Sequence, residues 1–219
     1  MKQVIKVLLA VLFIFTGCTS SRITSSWKSP DLQQKKYKKI LVLGLLKETD
    51  HLLREKMEEH IIGDLKSLGY DAVCSCIEYD PKKFNNMKEQ EAIQKLNEGN
   101  IDAVLTVVLL DKTKERYYVP SKVNYTPYNS YHRDWWGYYS TMYGRIYEPG
   151  YYQVDTKYFW ESNFYDLESK QLIYSVQTQS FDPASTQSLA HEYGKLIVNS
   201  MVKKQVLTDQ TKIVPLKPM

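Results

Sequence analysis

His132, Asp134, Glu148 and Glu161 are the side chains from which an enzyme would have to be built here: an imidazole two residues from one carboxylate, with two more carboxylates downstream. A hydrolase using His132 and Glu161 would need a nucleophile hydrogen-bonded to that imidazole, and the sequence places none beside it. Ser175, Ser180 and Ser185 lack the Gly-x-Ser-x-Gly turn, and no glycine loop of the phosphate-cradling kind occurs. Paired carboxylates for glycoside hydrolysis must lie about 5 to 9.5 Å apart, a distance set by folding rather than by spacing. His51, His60 and His191 fall in helical stretches and are expected to be solvated. Cys74 and Cys76 stand at i and i+2 on an expected strand, which puts their Cα atoms roughly 6.5 to 7 Å apart, at or beyond the reach of an unstrained disulfide. They are expected as two small buried hydrophobes. No His, Asp or Glu stands near them at a recognised ligand spacing, so no metal and no cofactor is expected. The chain reads as non-catalytic.

A second kind of chemistry is aromatic. The 44 residues from Tyr117 to Trp160 hold 12 of the 18 tyrosines and three of the four tryptophans. Tyr128, Tyr131, Trp135, Trp136, Tyr138, Tyr139 and Tyr143 are the candidate binding residues, with Tyr125 and Tyr147 flanking them. Pro127, Gly137, Gly144 and Pro149 interrupt the run, so neither a regular helix nor a long strand is expected in its middle. Each such ring offers a broad apolar face with a polar edge, which suits sugar rings, membrane interfaces and protein partners alike. Three readings stand: the insertion, 117–151, packs back on its own domain, it receives an envelope protein or glycan, or it meets lipid headgroups.

The amino terminus carries Lys2 and Lys6, then an apolar stretch from Val7 to Phe15, then Thr16-Gly17-Cys18. As a helix, nine apolar residues cover about 14 Å of a hydrocarbon core about 30 Å thick, too little to span it. A charged start, a short apolar middle and small residues at the cut make a secretory signal. With a cysteine at the cut, residues 1–18 resemble a bacterial lipoprotein signal. The resemblance implies that 1–17 are removed and that Cys18, through its nucleophilic thiol, becomes lipidated. Each buried methylene contributes about 0.8 kcal/mol, so two or three acyl chains hold a protein at a membrane durably. Thr19 in place of Asp, with no acidic run after it, implies the outer membrane and a periplasm-facing body.

Without that leader the formal charge of +4 falls, leaving 27 basic against 25 acidic side chains. A balance so even gives no electrostatic case for nucleic acid. A domain of this length buries on the order of 70% of its unfolded surface and needs no disulfide framework.

The elements that must position these residues follow from periodicity. Residues 18–34, serine-rich, read as a polar tether after the lipidated cysteine. Ile40–Leu46 is an apolar run of strand length. Leu53, Met57, Ile61, Leu65 and Leu68 then mark one face of a helix capped at Thr49 or Asp50 and stopped by Gly69. Tyr70–Tyr79 alternates as a strand, and Asn86 with Glu89 opens a short helix ended by Gly99. Ile101–Leu110, apolar but for Asp102 and Thr106, reads as a strand covered on both faces, central in its sheet. Strands alternating with helices argue for parallel pairing with right-handed crossovers. Gln153–Leu167 and Gln171–Phe181 form a hairpin, and Asp182-Pro183 opens a last amphipathic helix through Leu189, Tyr193, Leu196, Ile197 and Met201. The tail, 207–219, has no periodicity and reads as loose.

The expected architecture is a single α/β domain over 35–206: a mixed sheet of about five strands with three helices, βαβαβ followed by the aromatic loop, a hairpin and a carboxy-terminal helix. Trp27 to Pro30, Tyr37-Lys38-Lys39-Ile40-Leu41-Val42-Leu43-Gly44, Arg54, Glu58 and Gly69-Tyr70 resemble an uncharacterised lipoprotein family of Bacteroidota. Tyr151-Tyr152, Phe164-Tyr165-Asp166-Leu167, Leu172-Ile173-Tyr174-Ser175 and Phe181-Asp182-Pro183 extend the resemblance over nearly the whole mature chain. It implies a fold similar to the amino-terminal domain of TolB and the periplasmic domain of CsgG, and it brings no catalytic residues. Folds of that kind associate through sheet and helices, so a homo-oligomer is compatible, though no residue here argues for one.

Overall fold

The computed structural model describes residues 20–32, 35–76, 79–119, 135, 136, 139 and 151–212. Among them, six strands form one mixed sheet: β1 (Ser21–Lys28), β2 (Lys39–Leu45), β3 (Asp71–Cys74), β4 (Ala103–Val119), β5 (Tyr151–Asp166) and β6 (Gln171–Phe181). Their spatial order is β1-β6-β5-β4-β2-β3. The α-helices that accompany the sheet are α1 (His51–Ser67), α2 (Pro81–Phe84), α3 (Glu89–Glu98) and α4 (Thr186–Lys203). The α/β class is as expected, with one more strand and one more short helix than periodicity indicates.

β2 runs parallel to both β3 and β4, so the expected strand-helix-strand alternation produces parallel pairing. Side chains on a strand alternate between faces, and here both faces are apolar. Ile40 and Val42 of β2 join Ala103, Leu105 and Val107 of β4 in the main core with Met57, Ile61 and Leu65 of α1. Leu41 and Val104 point the other way, into a smaller cluster with Tyr79, Leu96 and Ile101. Fully burying one such Leu or Ile contributes about 1.5–3 kcal/mol, which is why this half of the sheet reads as continuous apolar runs. The two polar residues of the 101–110 run are accounted for. The Asp102 carboxylate accepts from the amides of Lys38 (2.7 Å) and Lys39 (3.1 Å), and Thr106 Oγ1 donates to the Asn163 carbonyl at 3.3 Å.

The other half is antiparallel and packs on one face. β6 pairs antiparallel with both β1 and β5. Trp160, Phe164, Tyr174 and Val176 face the core beside Leu189, Tyr193, Ile197 and Met201 of α4. Two buried hydroxyl pairs sit within it, Ser162 with Tyr193 and Tyr174 with Ser200, each at 2.7 Å. At the β5–β6 turn, Asp166 accepts from Ser169 N and Oγ and from Lys35 Nζ.

Several expectations are corrected. Most of the supposed tether is β1, which pairs along β6 from Ser21 against Ser180 to Lys28 against Tyr174. The strand expected to reach Tyr79 stops at Cys74, because Ser75 turns inward toward α1. Ser185 rather than Asp182 caps α4, its hydroxyl accepting from Ser188 N at 3.0 Å, and Lys88 rather than Asn86 precedes α3. The tail is docked as far as it is described. Val206 and Leu207 are buried, Tyr70 Oη donates to the Thr208 carbonyl, and Gln210 N donates to the Leu68 carbonyl.

The described residues fall into two units, the second nested in sequence within the first and overlapping the insertion expected at 117–151. The first takes those up to Lys112 and from Lys157 onward, and the second is Thr113–Thr156. Among the described residues no helix is long and apolar enough to cross a membrane.

Candidate functional site

In the second unit, Trp135, Trp136 and Tyr139 have helical backbone, a local correction to the expectation that no helix forms there. Helical spacing of three and four residues puts rings on one side. The Trp135 and Tyr139 rings stack at 5.5 Å and 23°, Trp136 and Tyr139 at 5.5 Å and 28°, and the two indoles lie 5.6 Å apart. All three stay in solvent, at 72%, 63% and 42% exposure. Elsewhere in the unit Tyr118 and Tyr152 meet edge to face at 5.4 Å, and the Arg116 guanidinium lies 4.0 Å from the Tyr152 ring centre. An arginine over a ring contributes roughly 0.5–1 kcal/mol at an exposed site.

Of the remaining aromatic candidates, Tyr128, Tyr131, Tyr138 and Tyr143 lie outside the described residues, as do Cys18, His132, Asp134 and Glu148. Glu161 is described. Its carboxylate accepts from Asn163 Nδ2 at 2.9 Å and Gln177 Nε2 at 3.1 Å, both amides of the polar sheet face. His51 lies with Nδ1 3.3 Å from the Glu48 carbonyl. His60 and His191 are not merely solvated: their rings meet at 5.4 Å across α1 and α4, and His60 Nε2 is 2.8 Å from Gln187 Nε2.

A second polar constellation, in the first unit, escapes the sequence reading. Glu58 of α1 is 2% exposed, yet it carries a carboxylate into the space where β2 and β3 run side by side. Its Oε1 accepts from Gly44 N (2.8 Å) and Ser75 Oγ (2.6 Å), and its Oε2 accepts from Ser75 N (3.0 Å). Burial pushes the Glu58 carboxyl above its ordinary value, while those three bonds and the charge of Arg54 pull it back in part. Gly44 makes the approach feasible, since a Cβ there would stand 2.6 Å from Arg54 Cγ and 2.9 Å from Glu58 Oε1. A glycine inside a strand is the signal that could have flagged this site.

Ser75 sits between Cys74 and Cys76, which are joined in a disulfide with Cα atoms 5.2 Å apart. The expectation of two buried small hydrophobes is therefore overturned: Cys74 is half-buried, Cys76 is exposed, and the chain leaves the strand between them. An oxygen of Glu58 and the two sulfurs lie within 4.8 Å of one another. Bridged, the sulfurs have no thiolate to give a metal.

No family model matches this chain, and no curated protein matches it. Solved structures do. The PelC dodecamer from Paraburkholderia phytofirmans is similar at 11% identity with a TM-score of 0.44, covering 86% of this chain and 99% of that one. Lipoprotein GNA1162 from Neisseria meningitidis is similar at 12% identity and a TM-score of 0.38, over 76% of this chain and 99% of that one. A PDZ domain protein from Parabacteroides distasonis is similar at 9% identity and a TM-score of 0.36, over 95% of this chain and 40% of that one.

Proposed function

We propose that this chain is an envelope lipoprotein, lipidated at Cys18 and facing the periplasm from the outer membrane, that works by holding a partner through its Tyr/Trp-rich segment rather than by catalysis. The observation that carries the reading is the exposed, mutually stacked group of Trp135, Trp136 and Tyr139. Rings of this kind bury about 150–250 Å² each when covered, and leaving them together in water is unfavourable unless something covers them in use. Aromatic side chains with apolar faces and polar edges are the usual energetic centre of a binding surface. A glycan is the alternative occupant to a protein, because flat rings also stack on sugars.

The test replaces Trp135, Trp136 and Tyr139 together by Ser in the full chain recovered from membranes. Retention on an envelope partner, read by crosslinking from this segment, or on peptidoglycan, read by co-sedimentation, is expected to disappear while the melting temperature stays unchanged. Capture of a protein supports the first occupant and sedimentation with the polymer supports the second. Equal retention by both chains, or loss of folding in the variant, overturns the reading. So does recovery of the native chain from cytosol with residues 1–17 attached and no acyl group.

A further inference from the structure

We propose that Cys74 and Cys76 form a thiol–disulfide exchange site, with exposed Cys76 as the sulfur attacked by an incoming dithiol and Glu58 as the group that hands a proton to the departing Cys74. Four observations carry it. The bridge spans one intervening residue, and so short a loop removes little freedom from the unfolded chain, so stapling the fold is a poor account of it. It lies at the end of β3, the edge strand of the sheet among the described residues. One of its sulfurs belongs to an exposed residue, and exposed disulfides are the exchangeable ones. A buried carboxylate lies within 4.8 Å of both sulfurs.

The carboxylate is arranged for that role. Oε1 takes two donors, Gly44 N and Ser75 Oγ, whereas among the described residues Oε2 takes Ser75 N alone and has a lone pair for a proton. Burial favours the protonated form. Among the described residues the charged group acting on it is Arg54, one turn earlier on α1, whose Nη2 is 3.8 Å from Asp80 Oδ2 at the start of α2. Ser75 is fully buried, and its amide and hydroxyl hold the backbone between the two cysteines on Glu58.

A thiolate of the donor dithiol, on a protein or a small molecule, attacks Cys76 Sγ. A bond forms between those sulfurs as the Cys74–Cys76 bond breaks, and Cys74 departs with the electron pair and takes the Glu58 proton. The second donor thiolate then attacks the first donor sulfur and releases Cys76, which is protonated from solvent. The donor leaves as a disulfide, two electrons and two protons having passed to the cysteine pair, and solvent restores the proton to Glu58.

The experiment follows reduction of the full chain by dithiothreitol across the pH range, for the native protein and Glu58→Gln. The bridge is expected to be reduced without unfolding, and the variant to react at least about tenfold more slowly with a flattened pH profile. Cys74→Ser and Cys76→Ser chains, treated with oxidised glutathione, provide a reading that does not depend on how Glu58→Gln folds. Cys74→Ser is expected to trap glutathione at Cys76, and Cys76→Ser to remain unmodified because Cys74 is half-buried. A bridge that resists dithiothreitol in the folded protein, a pH profile unchanged in a folded Glu58→Gln, or trapping at Cys74 as readily as at Cys76 would each overturn the proposal.

Discussion

Asp64 of α1 is pressed against α4, and its Oδ2 is buried with no hydrogen-bond partner among the described residues. Burial raises its carboxyl above the ordinary value, only partly offset by the charges of His191, His60 and Lys195. The folded state therefore keeps this proton to higher pH than the unfolded chain does, and stability falls as pH rises through that window. Asp64→Asn removes the cost, so the variant is expected to melt higher than the native chain at pH 7 and at the same temperature below about pH 3, where both states are protonated. A lower melting temperature at neutral pH would mean that attraction to His60, His191 and Lys195 outweighs burial. At this scale the sequence was legible where one residue type serves one purpose. Leu53, Met57, Ile61 and Leu65 are buried at their helical spacing, and Gly69 stops α1 at φ +87°. It was not legible at Glu58 and Cys76: a charged residue next to an apolar face normally reaches water, and the i,i+2 distance of a strand ceases to apply once the chain turns.

Two helices set the thickness of the main core, and α1 and α4 touch because Gly194 lets them. A Cβ at Gly194 would stand 3.1 Å from Asp64 Oδ2 and 3.3 Å from the Ile61 amide nitrogen, so one backbone lies against the other. Gly194→Leu forces the helices apart over the layer formed by Ile61, Tyr193 and Ile197 and is expected to destabilise the fold by about 1–3 kcal/mol. Chemical denaturation checks this: an unchanged midpoint would show that the helices separate without losing contacts. Elements differ in how far the sequence reveals them. β2 and the first half of β4 are apolar on both faces and identify themselves, whereas Ser21–Lys28 carries three serines and a threonine and looks like a linker. Its strand state comes from backbone pairing along β6, supplemented by cross-strand bonds such as Ser21 Oγ with Ser180 Oγ at 2.7 Å and Arg22 with Gln179. Strand preference at an edge is decided by what lies alongside, which no local pattern records.

For the whole molecule, the consequential fact is where apolar burial stops. Every buried apolar side chain among the described residues belongs to the first unit, and Thr113–Thr156 contributes none. The 44-residue concentration of aromatics was visible in the sequence, but its fate was not, because tyrosine and tryptophan are equally at home in a core and on a surface. If the division of labour is real, the first unit carries its own stability and the second can be removed. Replacing Thr113–Thr156 by a short turn joins Lys112 to Lys157 directly, at two strands that are neighbours in the sheet. Joining two neighbouring strands by a short turn costs little, since loop-closure entropy changes slowly with length. The shortened chain is expected to keep its helical and strand content and to melt within a few degrees of the full chain, while losing the retention ascribed to Trp135, Trp136 and Tyr139. A shortened chain that fails to fold would show that the second unit supports the core, and the aromatic rings would then belong to stability rather than to binding.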